Sequence, residues 1–189
     1  MLFRSAAVPF GARYRVIDFV LSGMVNADIR NIGVITTLKY GSLMGHIRSG
    51  EVWDLNRKNS ALTVLPPFSG HEADRMHDSR MEALHGNMPY LRHIHEKYIL
   101  LSGSNYIANM NFSAMLEQHV RSGAVVTAVC TRQPVTMSPD VMRTQYRLGD
   151  DGHVLRLKQK KGLEDGAFAA TNTYIMERKT LMQIGRAHV

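Results

Sequence analysis

Imidazoles, one thiol and a short run of lysines are the side chains of this chain whose type and spacing could do chemistry. Six of the nine histidines lie between His46 and His95, and His93 and His95 stand two apart beside Glu96. A structural or catalytic metal needs ligands converging from separate elements at restricted spacings. No such framework is visible, so the histidines read as surface residues. Cys130 is the sole cysteine, which leaves no internal disulfide; within a β-branched run it reads as a buried hydrophobe, not a reactive thiolate. Ser22 and Ser42 stand in no nucleophile-elbow pattern. No P-loop occurs, and no G-x-G-x-x-G follows a strand. The run Lys158-Gln159-Lys160-Lys161 suits a phosphate, and equally suits a solvated strand end.

The formal charge of +7 points to an anionic partner, either nucleic acid or a phosphorylated metabolite. The basic residues are dispersed, clustering only at Arg57-Lys58 and at Lys158 to Lys161. No basic stripe, RNP-like run or helix-turn-helix pattern accompanies them, so a basic nucleic-acid-binding module is the lesser alternative and no nucleic-acid partner is expected. With 189 residues, 44% apolar and 21% charged, the composition is that of one globular domain with a real core. No apolar run approaches the roughly 18 residues of a membrane span, and no secretory leader is visible. A cytoplasmic protein without a membrane partner is expected. The 12 methionines read as core filler.

The elements that must position these residues follow from hydrophobic period. Tyr14 to Ala27 carries apolar residues three and four apart and predicts a helix. Residues 32–36 read as a buried strand, 42–47 as a short helix, and 66–70 as part of a long loop punctuated by Pro66-Pro67 and Ser69-Gly70. Met81 to Tyr90 predicts a helix and Tyr98 to Leu101 a second buried strand. Ser113 is the expected cap of a helix that runs to Arg121 and ends at Gly123. Val125 to Thr131 is a third strand, His153 to Leu157 an exposed one, and Ala167 to Met176 another; Leu181 begins a last helix. This alternation predicts an α/β fold, Rossmann-like, with a mostly parallel sheet flanked by helices. Ligands of such sheets bind outside the carboxyl ends of the strands, here the loops after Thr36, Leu101 and Thr131.

A longer pattern is more specific. Residues 8–22, from Val8-Pro9-Phe10-Gly11-Ala12-Arg13-Tyr14-Arg15 through Ile17-Asp18-Phe19 to Leu21-Ser22, resemble the stretch A-V-P-F-G-G-K-Y-R-I-I-D-F-P-L-S of bacterial ADP-glucose pyrophosphorylases. Asn26 and residues 29–34 continue it, and the resemblance covers most of residues 6–183. It implies a nucleotidyltransferase domain of the nucleotide-diphospho-sugar transferase type. Such a domain joins glucose 1-phosphate to ATP and releases pyrophosphate, in glycogen biosynthesis. That chemistry needs cations around the triphosphate and a carboxylate-held Mg²⁺.

Four family sites can be compared. The triphosphate loop ending in G-T-R-L would precede residue 6. The nucleotide-contacting G-T-A-D-A-V-x-Q-N falls on residues 79–87, Ser79-Arg80-Met81-Glu82-Ala83-Leu84-His85-Gly86-Asn87. Bulky Arg80 and Met81 there replace small residues, while Glu82 and Asn87 remain candidate substrate contacts. The strand-end S-G-D-H-I-Y-x-M-D-Y falls on residues 103–112, with Asn105 at the metal-binding aspartate and Asn111 at the second aspartate. An amide can offer its carbonyl to Mg²⁺ but not its charge, forgoing attraction on the order of several kcal/mol in a partly desolvated site. Metal binding is therefore doubtful. The F-x-E-K-P strand falls on residues 157–161, where Lys160 matches the sugar-phosphate lysine.

Framework positions are thus kept and catalytic positions changed. This resembles the D-type subunit of Gram-positive ADP-glucose pyrophosphorylases, as does the stretch 49–58. The resemblance implies a regulatory subunit with weak or no activity of its own, assembled with a catalytic subunit in a hetero-oligomer. The alternative is a catalytically active sugar-1-phosphate nucleotidyltransferase. Residues 1–5 and 184–189 fit nothing around them; codons for the two ends can be written as overlapping reverse complements resembling a sequencing adapter. They are expected to be foreign to a partial domain at 6–183, without the family's C-terminal left-handed β-helix.

Overall fold

The computed structural model describes residues 6–36, 41–48, 50–57, 61–65, 80–104, 106–132, 140 and 142–187. Strands β1 (Pro9–Phe10) and β2 (Tyr14–Arg15) form a small antiparallel hairpin. Gly11 and Ala12 turn it at φ of 58° and 64°, a left-handed pair that matches the twist of the flanking strands. Helix α1 (Val16–Asn26) follows directly. Its Ile17, Val20, Leu21 and Met24 are buried, the three-and-four spacing that the sequence shows. It ends where Asp28 turns left-handed and the Ile29 amide donates to the Met24 carbonyl at 3.0 Å, satisfying carbonyls the helix leaves open.

Asp18 sits in the first turn of α1 and is buried. Its Oδ2 accepts the Arg15 backbone N–H at 2.9 Å, and its carboxylate meets His46 Nε2 at 2.7 and 2.9 Å. His46 lies on α2 (Gly41–Ile47), and Arg15 Nη1 donates to the carbonyl and hydroxyl of Ser42, both at 2.9 Å. One carboxylate thereby ties hairpin, α1 and α2 together. His46 is half-buried and bonded, which corrects its reading as a surface residue; His71 and His77 lie outside the described residues.

Strand β3 (Asn31–Ile35) pairs in parallel with β4 (Ala61–Leu65), and Thr36 extends the pair through two bonds to the Leu65 carbonyl. Between them the chain makes a 3-10 turn at Glu51–Trp53. Trp53 and Leu55 drop into a core with Ile17, Leu21, Ile32, Leu43, Ile47 and Phe112, and Trp53 Nε1 donates to Ser22 Oγ at 3.2 Å. Gly50 permits this, with φ of 78° and a position where a Cβ would come within 2.9 Å of Leu55 Cβ.

Helices α3 (Arg80–Gly86) and α4 (Met88–His93) replace the single helix expected over 81–90. Asn87 makes the break: Pro89 has no N–H to continue a helix, and Asn87 Nδ2 donates back to the Ala83 carbonyl at 2.8 Å. Strand β5 (Tyr98–Leu101) follows, then α5 (Phe112–Ser122), β6 (Val126–Thr131), β7 (Met142–Leu148), β8 (Val154–Lys161), β9 (Phe168–Glu177) and α6 (Arg178–Ala187). Helix α6 continues through residues 184–187. Leu84 of α3, Leu91 of α4 and Leu181 of α6 pack with Met176 as a second core. Among the described residues no helix is long and apolar enough to cross a membrane.

The α/β class with flanking helices is found, and the sheets are mixed. β3 and β4 are parallel, whereas β9 lies between β5 and β6, antiparallel to both, and continues to β7, which pairs antiparallel with β8. Among the described pairings, the parallel share is therefore smaller than the alternation of elements suggests. β4 and β7 were not foreseen, and α5 is capped by Asn111, not Ser113. The loop read from Pro66 to Gly70 lies outside the described residues.

Replacing Asp18 by Ala removes the acceptor of Arg15 N–H and the partner of His46, and should cost about 2–4 kcal/mol in urea unfolding. Gly50→Ala should cost about 2 kcal/mol or more through left-handed strain and the Leu55 contact. A loss under about 0.5 kcal/mol for either would show that its neighbourhood relaxes freely.

Candidate functional site

The carboxyl end of β5 is held by hydroxyl groups. Ser102 Oγ lies 2.7 Å from the Tyr106 hydroxyl, which lies 2.8 Å from Thr173 Oγ1. Ser102 and Thr173 are 3.4 Å apart, and Thr173 has no solvent exposure. Thr173 reaches this place by register, since Leu101 pairs with Tyr174 and Ser102 therefore falls opposite Thr173; just beyond it β9 bulges. Its pairing with β6 passes from Val129↔Thr173 to Cys130↔Ala170, so Thr171 and Asn172 are extra residues on β9. Asn172 is left-handed at φ of 59°, its carbonyl accepts the Gly103 N–H at 3.0 Å, and Thr171 Oγ1 donates to the Val129 carbonyl at 2.9 Å. A bulge of this kind re-aims side chains and ends regular pairing. Here it fastens the loop after β5 to the middle of β9.

Asn105 stands in that loop and lies outside the described residues. Asn111 is described, and its work is structural: Oδ1 accepts the Ala114 N–H at 3.0 Å at the start of α5. Asparagine and aspartate cap helices about equally well, so an amide at this position says nothing about catalysis. Asn87 is buried and spends an amide N–H on the break between α3 and α4, as described above. Glu82 lies half-buried on α3; Ser79 lies outside the described residues.

Lys160 is exposed near the end of β8 and donates to Glu164 Oε1 at 3.1 Å. Lys158 Nζ reaches both oxygens of the same carboxylate at 3.2 and 3.3 Å. Hydrogen bonds from Lys160 and then Lys158 hold the Glu164 carboxyl below the usual carboxylate range. Buried Gln145 of β7 positions this partner: its Oε1 accepts the Glu164 N–H at 2.9 Å and its Nε2 donates to the Gly162 carbonyl. Register places the lysine near the bulge. Lys160 pairs with Arg143, and Gln145 pairs with Ala169, so the Lys160 rung falls level with about residue 171 of β9. Sheet topology thus brings Lys160, the bulge and the Gly103 end of β5 to one end of the sheet.

The donors at this end do not suit Mg²⁺. The chain has no Asp or Glu between Glu96 and Glu117, and the described groups where β5 ends, Ser102, Gly103, Tyr106 and Thr173, are hydroxyls and an amide already hydrogen-bonded. Among the described residues no three His, Cys, Asp or Glu side chains are grouped to hold a metal. A hard divalent ion is held by carboxylates and water, and the described donors where β5 ends supply no carboxylate. Burial raises the Cys130 thiol, in keeping with a packed residue. Two residues of this end carry little or no signal in the sequence. Glu164 could have been found, four residues beyond Lys160 between Gly162 and Gly166. Thr173 gave no local signal, because its partners are about 70 residues away.

Asn111→Asp should leave stability within about 0.5 kcal/mol, while Asn111→Ala should cost about 1 kcal/mol. Equal loss in both variants would show that Asn111 does something other than cap.

The sequence profile of the nucleotidyl transferase family matches residues 3–188. The chain is similar to proteins called glucose-1-phosphate adenylyltransferase from two strains of Clostridium botulinum, Eklund 17B and Alaska E43. Identity is 32% over 177 residues in each case, covering 93% of this chain and 45% of the relative. The chain therefore spans about half the length of these curated relatives. Taken with the mixed α/β architecture, the match over nearly every residue shows that the chain belongs to the nucleotidyl transferase family.

Proposed function

We propose that the chain serves a cytoplasmic glucose-1-phosphate adenylyltransferase of glycogen synthesis, as a regulatory subunit that modulates a catalytic partner in a hetero-oligomer. The reaction joins ATP and glucose 1-phosphate to give ADP-glucose and pyrophosphate. The likeness to the clostridial relatives supports the substrate class. One observation carries the regulatory part: the carboxyl end of β5, from Ser102 to Asn111, contains no carboxylate.

The chemistry explains why that matters. A phosphate oxygen of the sugar attacks the α-phosphorus while pyrophosphate departs, and negative charge accumulates on oxygens that must be held by cations. A metal held by carboxylates supplies much of that stabilisation. In this chain Asn105 offers a neutral carbonyl, and Tyr106 is committed to Ser102 and Thr173. Cationic groups survive at Lys158 and Lys160, which suits retention of a sugar phosphate better than its turnover. Binding without turnover is what a subunit that senses substrate requires.

Purified chain, given ATP, glucose 1-phosphate and Mg²⁺, should release pyrophosphate at background rate. Added to an active glucose-1-phosphate adenylyltransferase, it should shift the partner's kcat or KM. Asn105→Asp should raise turnover by the chain, and Asn111→Asp should not. Robust turnover by the unmodified chain alone would sink the regulatory reading.

A further inference from the structure

The β7–β8 ribbon carries a charge arrangement that its stability does not require. Rungs Arg143↔Lys160, Gln145↔Lys158 and Arg147↔Arg156 pair directly, and residues two apart on a strand share a face. Arg143, Arg147, Arg156, Lys158 and Lys160 therefore occupy one face, with like charges opposite each other on two rungs. Such pairs destabilise an antiparallel ladder, so the face is suited to an anion.

An anion is already there. Glu164 accepts from Lys158 through both oxygens and from Lys160 through one. Its backbone N–H and carbonyl are both held. Gln145, only 3% exposed, grips the Gly162 carbonyl and the Glu164 N–H, and the Ala167 N–H donates to the Glu164 carbonyl at 3.0 Å. Gly162 and Gly166, both at φ of 71°, let the loop fold back onto the strand, and Arg147 Nη2 closes it through the Asp165 carbonyl at 3.2 Å. The exposed Lys160 pair adds little to stability, so a buried amide that aims the carboxylate at a second lysine as well calls for another explanation.

We propose that Glu164 is a built-in counter-anion occupying a phosphate site at Lys158 and Lys160, which a phosphomonoester must displace in order to bind. This rests on the reading of Lys160 as a sugar-phosphate lysine. A phosphomonoester brings close to two negative charges and three acceptor oxygens where the carboxylate has one charge and two oxygens. It gains more from the cationic face than Glu164 does, and the displaced loop stays tethered through Gln145. The site therefore admits phosphate esters and discriminates against weaker anions such as simple carboxylates.

Calorimetric titration of the full chain with inorganic phosphate, and separately with glucose 1-phosphate, tests this at low ionic strength. Glu164→Gln should bind both about two- to fivefold more tightly than the unmodified chain, the range one surface ion pair can supply. Glu164→Asp, with a shorter reach, should fall between them and carries the test if the amide variant does not fold. Adding Lys160→Met to Glu164→Gln should abolish the gain. Equal affinity of the unmodified chain and Glu164→Gln, with binding still lost in Lys160→Met, overturns the counter-anion and leaves the lysine reading standing. Phosphate binding unchanged by Lys160→Met alone overturns the lysine reading, and the counter-anion with it. Absence of phosphate binding in every variant overturns both.

Discussion

The candidate site depends on the double-sided pairing of β9. One edge is taken by β6; the other is taken by β7 near the start of the strand and by β5 near its end. Three strands thus share β9 as a partner, and its register with β5 sets what meets the loop after Leu101. In that register the Asn172 carbonyl accepts the Gly103 amide, and the Thr173 hydroxyl is buried beside Ser102 and Tyr106. The two extra residues at Thr171 and Asn172 keep the side-chain alternation, because they add one full period. The same strand fixes β7 through Gln145 and Tyr146, and β7 fixes the height of Lys160. Loop, lysine and hydroxyl cluster are therefore consequences of one strand's geometry. A change on β9 would disturb all three together.

The two cores divide this task. The first gathers α1, α2, β3 and the 3-10 turn around Leu21, Ile47 and Leu55, each at most 2% exposed. Phe112 joins it from the first turn of α5, so the helix that Asn111 caps is anchored to the N-terminal elements. Gly23 makes that approach possible, since a Cβ there would stand 3.0 Å from the Phe112 ring. The second core, built on Met88, Leu91, Met176 and Leu181, clamps the far end of β9. Across the two runs a polar chain: Tyr90 donates to Asn31 Oδ1 at 2.8 Å, and Asn31 Nδ2 donates to Glu96 at 3.0 Å. The chain joins β3 to the segment that leads into β5.

Legibility in the sequence followed the strength of local periodicity. Helix α1 was readable because its apolar residues recur every third or fourth position, and β5 because Tyr98-Ile99-Leu100-Leu101 is continuously apolar. β7 was overlooked although Thr144, Tyr146 and Leu148 alternate with Arg143, Gln145 and Arg147. The polar set disguises a half-buried strand when no partner is known, and the partner is β8. β4 was lost because five residues beside a Pro-Pro pair carry too little pattern. Asn87 shows the opposite failure: the apolar period ran on through a break that Pro89 and a side-chain bond impose. The site was legible where a motif is local, as at Lys160. It was not legible at Thr173 or Asn172, whose roles come from strand pairing over long separations.

The same chemical difference, amide in place of carboxylate, has unequal consequences at two positions only six residues apart. At 111 the group to be satisfied is a backbone N–H, which asks for one acceptor oxygen at about 3 Å, and the asparagine provides it. The net gain of such a bond is about 1 kcal/mol whichever residue supplies it. At 105 the resemblance implies a divalent cation, for which charge is the currency and a neutral carbonyl is a poor substitute. Counting both asparagines as lost catalytic groups would double the apparent degeneration of the site. The capping bond accounts for Asn111, whereas the weight given to Asn105 rests on the resemblance, and the lysines paired with Glu164 keep positive charge at that end of the sheet.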